Sequence, residues 1–465
     1  MPVEERSLSS RRTREEVLKK GIGVNLQTPI KVQKLQTALH AKAKEVPDCR
    51  FYALYDKVYR EDVLMFAYRI CRSNGGSPGV DGQTFADIKE DGEERWLSAL
   101  AEDLREKKYR PEAVKRVNIP KPNGKTRPLG IPTIRDRVVQ TAAKLVLEPI
   151  FEADLQPQQY GYRPNRNAHD AIREIHGLIN TGHTEVVDAD LSGFFDSIPH
   201  ADLMKSVARR VSDRHMLHLI RMWLETPVEE TDDKGKRHRT TRNKDMRRGT
   251  PQGSPISPLL SNLTMRRFVL GWKQLGHEAM LNAHIVNFAD DFVICCNGTA
   301  GFAMDAMRSM MTRLDLTVNE EKTHICRIPE GTFDFLGYTI GRCFPTMKNG
   351  KAVYGTWPSQ KSVQHAFMVI SDKTHCRWES RDAGELVKDL NRMLVGWANY
   401  FSMGLVRKGY RAVEEHTKAR LRQWLCRKHK QKGDGKARYP DRYLHQKLGL
   451  VSLQEHRRNF LRALA

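Results

Sequence analysis

Hydrophobic residues recur in this chain at two spacings, and the spacing changes along its length. Leu35, Leu39 and Ala43, then Tyr52, Leu54, Tyr55 and Val58, follow a helical period and predict amphipathic helices within residues 1–72. The stretch NGGSPGVDG, Asn74 to Gly82, interrupts that pattern with glycine and proline and reads as a loop. From about 115 to 345, β-forming runs alternate with helical ones. The strand-like runs are VKRVNIP (ending at 120), RPLGIP (127–132), EVVDADL (185–191), HIVNFAD (284–290) and DFVICC (291–296). Helical patterns are predicted at 134–154, 168–180, 199–226, 256–276 and 299–314. The polar stretch 229–246 reads as a solvated hairpin or insertion, and beyond 355 the pattern turns helical, with a flexible break predicted at 430–440.

Charge then narrows the class of partner. The 465 residues carry a formal charge of +22, and residues 401–465 hold 17 Lys/Arg against 5 Asp/Glu. Such an excess is either a solvated surface or a surface for a polyanion, and the dense phosphate charge of nucleic acid fits the second. No run of about 18 apolar residues predicts a membrane span, and RSLSSRRTREEVLKK lacks the apolar core of a signal peptide. Eight cysteines without a CxxC pair fit a reducing cytosol and argue against a zinc site. Cys295 and Cys296 sit in a strand-like run, as small core residues.

The candidate chemistry starts at VNFADDFVICC, Val286 to Cys296, which sets Asp290 and Asp291 side by side between apolar runs. The pair marks either a surface turn or a site where a cation answers the repulsion between buried carboxylates. In EVVDADLSGFFD, Asp188 and Asp190 share one face of an extended strand. One or both can join the pair in a carboxylate cluster suited to hard divalent ions such as Mg²⁺. Two such ions support in-line attack by a 3′-hydroxyl with loss of pyrophosphate. In VNIPKPNGKTRPLGIP, Lys121 and Arg127 flank a turn, as cations for phosphate oxygens or as an ordinary basic hairpin. RRGTPQGSPISPLLSNL is a glycine-rich loop entering a helix near Pro258, where Gln252 can bond a sugar or base. Phe194 reads as core, and Phe195 as a wall of a pocket.

In this order the motifs resemble those of reverse transcriptases, specifically the group II intron-encoded, maturase-type lineage. The resemblance runs from NGGSPGVDG through RPLGIPTIRDRVVQ, YGYRPNRNAHDA, VVDADLSGFFDSIPH, RRGTPQGSPISPLLSNL, NFADD, LTVNEEKTHI and FDFLGY to LNRMLVGWANYF, roughly residues 30 to 450. It implies that Asp190, Asp290 and Asp291 are catalytic and hold two Mg²⁺ ions, with Asp188 and Asp196 supporting. Asp196 can instead cap the helix after Pro199. Lys121, Arg127, Phe195, Gln252 and Lys322 are then nucleotide-binding residues, Phe195 excluding a ribose 2′-hydroxyl; Lys322 also reads as a surface lysine at a helix end. Phe335, Leu336, Gly337 and Tyr338 fall where such enzymes hold the primer. Phe288 stands where tyrosine is commoner, Gly75 in place of a frequent lysine, and Asn167 in place of a frequent serine.

The implied fold is an α/β (α+β) right-hand polymerase, fingers and an antiparallel-sheet palm followed by an all-helical thumb or maturase domain. Its expected parts are a helical extension (1–72), a loop and lead-in (73–110), fingers and palm (111–345), thumb (355–428) and a short basic C-terminal segment (429–465). The expected activity is RNA-directed DNA synthesis, with binding of the parent intron RNA to assist splicing and mobility. Expected partners are template and intron RNA, a DNA primer or target and deoxynucleoside triphosphates, in a cytoplasmic, nucleoid-associated or ribonucleoprotein setting without a membrane. Few residues follow Cys426 and none form paired cysteines, so no zinc-stabilised nuclease activity is expected. Two other readings share much of this pattern: an intron-free reverse transcriptase in phage defence or DNA repair, and an RNA-binding splicing factor without polymerase activity.

Overall fold

Amphipathic periodicity becomes packing in the helices Ile30–Glu45 and Glu61–Asn74, which bury Val32, Leu39 and Ala43 and Val63, Leu64 and Ala67. Both lie against Ile134–Glu152, whose Val138, Val139, Ala142, Val146 and Leu147 are fully buried. Each buried valine or leucine among them contributes about 1.5–3 kcal/mol relative to exposure, and each alanine less. The computed structural model describes residues 26–120, 126–232, 236–343 and 353–464. It divides into two units, Leu26–Ile325 and one that contains the chain from Cys326 onward.

Two sheets organise the first unit. One has the order β2-β1-β4-β5, from Val114–Pro120 (β1), Thr126–Ile131 (β2), Val228–Thr231 (β4) and Arg237–Thr240 (β5). β1 and β2 form an antiparallel hairpin, whereas β1 runs parallel to β4. Of the two readings of 229–246, hairpin or insertion, the structure shows the hairpin, β4–β5, followed by a short helix, Arg242–Met246. The other sheet has the order β6-β7-β3-β8, from Glu185–Ala189 (β3), Ala283–Phe288 (β6), Asp291–Cys296 (β7) and His324–Arg327 (β8). β7 pairs antiparallel with both β3 and β6, and Phe292 to Cys296 are all buried. Burial without alternation means that both faces of this sheet are covered.

The single helix predicted over 199–226 is two, His200–Ala208 and Arg214–Leu224. Between them Val211 bridges to Phe51, and the buried Arg210 guanidinium donates to Asp154 and to the carbonyl of Ala43. These tertiary bonds, invisible to periodicity, end the first helix. Asp196 does not cap it: the helix from His200 has no side-chain cap.

The second unit opens with a three-stranded sheet, order β11-β10-β9, from Thr332–Phe335 (β9), Tyr338–Cys343 (β10) and Val353–Pro358 (β11). The remainder is helical: Gln360–Lys373, Ala383–Tyr400, Arg407–Lys428 and Leu453–Leu464. The break predicted as flexible is anchored instead. Arg422 Nε donates to the carbonyl of Tyr439, itself buried, and Lys418 Nζ lies 2.8 Å from Asp441 Oδ2. Glu414 then accepts from the amide of Leu453 at 3.0 Å, fixing the last helix.

Asp213 ties together two distant segments of the first unit. Its carboxylate accepts from the amides of Leu54 and Tyr55, both at 2.8 Å, and caps the helix from Arg214 through His215 and Met216. Burial alone raises its pKa, but the four amides outweigh it and hold the group below its ordinary value. Asp213→Asn turns an amide NH₂ toward donors and is expected to cost roughly 1–3 kcal/mol in denaturant unfolding. A depressed carboxylate stabilises above its unfolded pKa of about 3.9 and loses that contribution as pH falls through the folded value. The gap between wild type and variant is therefore expected to narrow below about pH 4; a gap constant from pH 3 to 7 would show that Asp213 titrates normally.

Candidate active site

The site is built on the tip of the β6–β7 hairpin. Phe288 pairs with Asp291, so Ala289 and Asp290 form a two-residue turn, and Ala289 takes φ +61°, a left-handed value for which glycine is favoured. Neighbouring backbone holds that strain. Asn287 Nδ2 donates to the carbonyl of Ala289 at 2.7 Å. The amide of Tyr160 donates to Asn287 and the amide of Asn287 to Gln158. Gly161 lies so close that a Cβ there would stand 2.4 Å from the Ala289 nitrogen. Asn262, on the buried helix Ser257–Gln274, donates to the carbonyl of Gly161 at 2.8 Å. The tip is thus set by a clamp of glycine and amides without chemistry of its own.

Strand β3 brings the third carboxylate. Ala189 pairs with Phe292, so the next step of that register sets Asp190 beside Asp291 on strands about 4.8 Å apart. Asp190 is fixed from the other side by the segment after Leu316. The amide of Asn319 donates to its carbonyl at 2.8 Å, and Asn319 Nδ2 and Lys322 Nζ reach its Oδ2 at 3.0 and 2.7 Å. Lys322 is thus an exposed lysine on a turn that also pairs with a carboxylate at this site. Asn319 was not singled out from sequence; its only signal is its place in LTVNEEK.

The electrostatics follow from crowding. Asp291 reaches solvent, yet protein surrounds most of its carboxylate. Desolvation first, then the charges of Asp290, Asp190 and Asp188, push its pKa up to about 7, with Lys322 opposing them. Among the described residues no three His, Cys, Asp or Glu side chains already form a ligand cage. What is preformed is the backbone placement and the excess of negative charge. Hard carboxylate oxygens crowded to the point of holding a proton near neutrality suit a hard divalent cation.

Beside the tip lies a cavity of about 480 Å³, where Tyr162, directly after Gly161, shares the lining with Phe195, Gln252, Arg137 and Lys144. Phe195 sits on the short helix Phe194–Ser197, edge-on to the buried Phe194, and its carbonyl accepts from the amide of Thr250 at 2.7 Å. Gln252 belongs to a loop pressed against β2: its carbonyl accepts from the amide of Gly130 at 2.6 Å, and a Cβ at Gly253 would lie 2.4 Å from the Gly130 oxygen. Arg137 was missed from sequence. Its guanidinium donates to the carbonyls of Gly75 and Ser77 and so holds the glycine-rich loop at the cavity.

Other expected residues fall outside this cluster. Lys121 lies outside the described residues, and of Arg127 the backbone is described, paired with Ile119 in the β1–β2 hairpin. Asp196 is held above its ordinary pKa by burial, with Arg116 and Arg242 pulling it down. In the second unit, Leu336 and Gly337 form the β9–β10 turn with φ +48° and +78°. Phe335 and Tyr338 are buried, and the Tyr400 hydroxyl donates to the carbonyl of Leu336 at 2.8 Å. Those two aromatic rings are core, which leaves the turn as the part open to a ligand.

Asp291→Asn separates charge crowding from structure. A folded pKa near 7 against an unfolded value of about 3.9 means that the ion-free folded chain holds the extra proton, so stability falls as pH rises through that window. The melting temperature of ion-free wild-type protein is expected to drop between about pH 4 and 7, and that of the variant to drop less. Parallel profiles would show an ordinary carboxylate.

Comparison with known proteins identifies the domains. Residues 119–340 match the reverse transcriptase (RNA-dependent DNA polymerase) family, and residues 368–444 the group II intron maturase-specific domain. Protein YkfC of Escherichia coli (strain K12) is 32% identical, over 77% of this chain and 99% of its own length. The group II intron-encoded protein LtrA of Lactococcus lactis subsp. cremoris is 33% identical over 48% of this chain and 36% of its own. The putative COX1/OXI3 intron 1 protein of Saccharomyces cerevisiae (strain ATCC 204508 / S288c) is 28% identical over 60% and 38%. The chain thus spans nearly all of the first relative and little more than a third of the other two. A reverse transcriptase domain of divalent-metal-dependent type followed by a maturase-specific domain places this chain in the group II intron-encoded reverse transcriptase/maturase family.

Proposed function

We propose that this chain copies RNA into DNA from deoxynucleoside triphosphates with Mg²⁺, and also binds intron RNA to assist its splicing and mobility in a ribonucleoprotein particle. The carrying observation is the convergence of Asp188, Asp190, Asp290 and Asp291 beside the cavity that Phe195 and Gln252 share. Asp190, Asp290 and Asp291 are the residues that would hold two Mg²⁺ ions, which when bound activate a 3′-hydroxyl and stabilise the leaving pyrophosphate. Phe195, buried and braced by Phe194, offers a flat wall where a 2′-hydroxyl would stand. Gln252, in the lining of the same cavity, is assigned to a sugar or base edge. Lys121 and Arg127 are assigned to the triphosphate, and the turn at Phe335 to Tyr338 to the primer strand. Lys322 offsets one unit of negative charge at Asp190. The full set of carboxylates supports a working polymerase over a splicing factor that has lost one.

Primer extension on an annealed DNA primer and RNA template tests this reading. The double variant Asp290→Ala with Asp291→Ala is expected to lose extension by at least about a thousandfold while RNA affinity persists, because the transition-state charge loses its counter-ions. Extension near the wild-type rate would remove these residues from the chemistry. Phe195→Ala is expected to admit ribonucleotides, lowering sugar discrimination by about tenfold or more, the scale of one lost steric contact. Unchanged discrimination would place the gate elsewhere.

A further inference from the structure

A second concave surface in the first unit shares no lining residue with the cavity at Phe195 and Gln252. It is an open groove of about 840 Å³ between the helices His200–Ala208, Arg214–Leu224 and Arg242–Met246. Lys205, Arg221, Lys244 and Arg247 line it with Glu225 and Asp245, so four permanent cations face two carboxylates. His200, also in the lining, adds no charge: burial lowers its pKa, and its Nε2 donates to the carbonyl of Gly249 at 2.7 Å.

The pairing of these charges is uneven. Lys205 reaches Asp202 at 3.5 Å, but Asp202 also receives Arg267 at 3.3 Å. Asp245 is engaged by the Thr241 hydroxyl at 2.7 Å. Among the described residues Arg221, Lys244 and Arg247 have no ion-pair partner, although all three are exposed on one groove. Gathering unpaired cations on a concave wall costs self-repulsion, which a polyanion laid along it relieves while releasing counterions. Arg247 is held at the groove by its backbone. It ends the short helix at φ +52°, and its carbonyl accepts from the amide of His200 at 3.0 Å. One wall is therefore fixed to the neighbouring helix rather than carried on a loose loop.

We infer that this groove is a phosphate-backbone site for a second RNA segment, separate from the primer–template. The inference rests on the polymerase–maturase reading, which requires the chain to hold intron RNA while its active site holds other strands. The groove recognises charge rather than base identity, because its lining offers cations and few directed acceptors.

The test keeps the two sites apart. With the polymerase cleft saturated by an annealed DNA primer and RNA template, a labelled single-stranded RNA of mixed sequence is titrated in trans at several salt concentrations. The triple variant Arg221→Gln, Lys244→Gln, Arg247→Gln is expected to bind that RNA about tenfold or more weakly. Its log-affinity against log-salt slope should flatten by about 2, from three lost contacts at about 0.7 each. Primer extension on the saturating duplex should be unchanged. Lys244→Glu alone, at an exposed helical position, serves where the triple variant melts early and is expected to weaken trans binding several-fold. Unchanged affinity and slope would overturn the proposal, as would wild-type protein that binds no second RNA. Loss of extension in step with loss of trans binding would also overturn it, by placing these cations in the polymerase cleft. Failure of the polymerase reading itself would appear as wild-type protein without extension, whatever the trans binding.

Discussion

Repulsion among carboxylates at one hairpin tip is the constraint around which the first unit is arranged. Burial first, then the charges of Asp290, Asp190 and Asp188, raise the proton affinity of Asp291 to near neutrality, and the Lys322 ammonium opposes them, paired with Asp190. Such an arrangement is unfavourable to folding taken alone, so the surrounding structure must impose it. It does so with parts that carry no charge: strands buried on both faces, an amide ladder from Gln158 to Asn287, and a glycine where no side chain fits. Stored repulsion then becomes affinity for a cation, which is how a fold can hold its chemistry ready.

The neighbouring cavity follows the same logic of assembly from distant pieces. Phe195 comes from the turn after β3, Gln252 from the loop before a buried helix, Arg137 from a helix packed on the N-terminal pair, and Tyr162 from the segment that clamps the tip. Thr250 is bonded to Phe195 and Tyr162 follows Gly161, so the walls of the cavity and the carboxylates are referenced to one framework.

What the sequence disclosed, and what it withheld, divides along the range of the interactions. Residues whose roles are local were legible: Val286 to Cys296 reads as two strands around a turn, and Ser257–Gln274 as a helix entered through proline. The carboxylate cluster was legible because two adjacent aspartates between apolar runs call for a compensating charge, and the motif order pointed to Asp190 as the third member. The break at Arg209 to Asp213 was not legible, since it depends on Asp154 and Phe51, more than 50 residues away in the chain. For 229–246 the sequence left hairpin and insertion as alternatives, because Arg237 to Thr240 is polar throughout and its strand character comes from pairing rather than composition. Asn319 and Gly161 were missed for a related reason: one acts through a side-chain amide on a distant carboxylate, the other through the absence of a side chain.

The close seating of Gly253 on Gly130 has a mechanical consequence. With a hydrogen bond and a near-van der Waals approach joining the Gln252 loop to β2, the β1–β2 hairpin cannot tilt without carrying Gln252 along. Gln252, which lines the cavity, is thereby held in register with β2, so that the place of one wall is set by the place of a strand far from it in the chain.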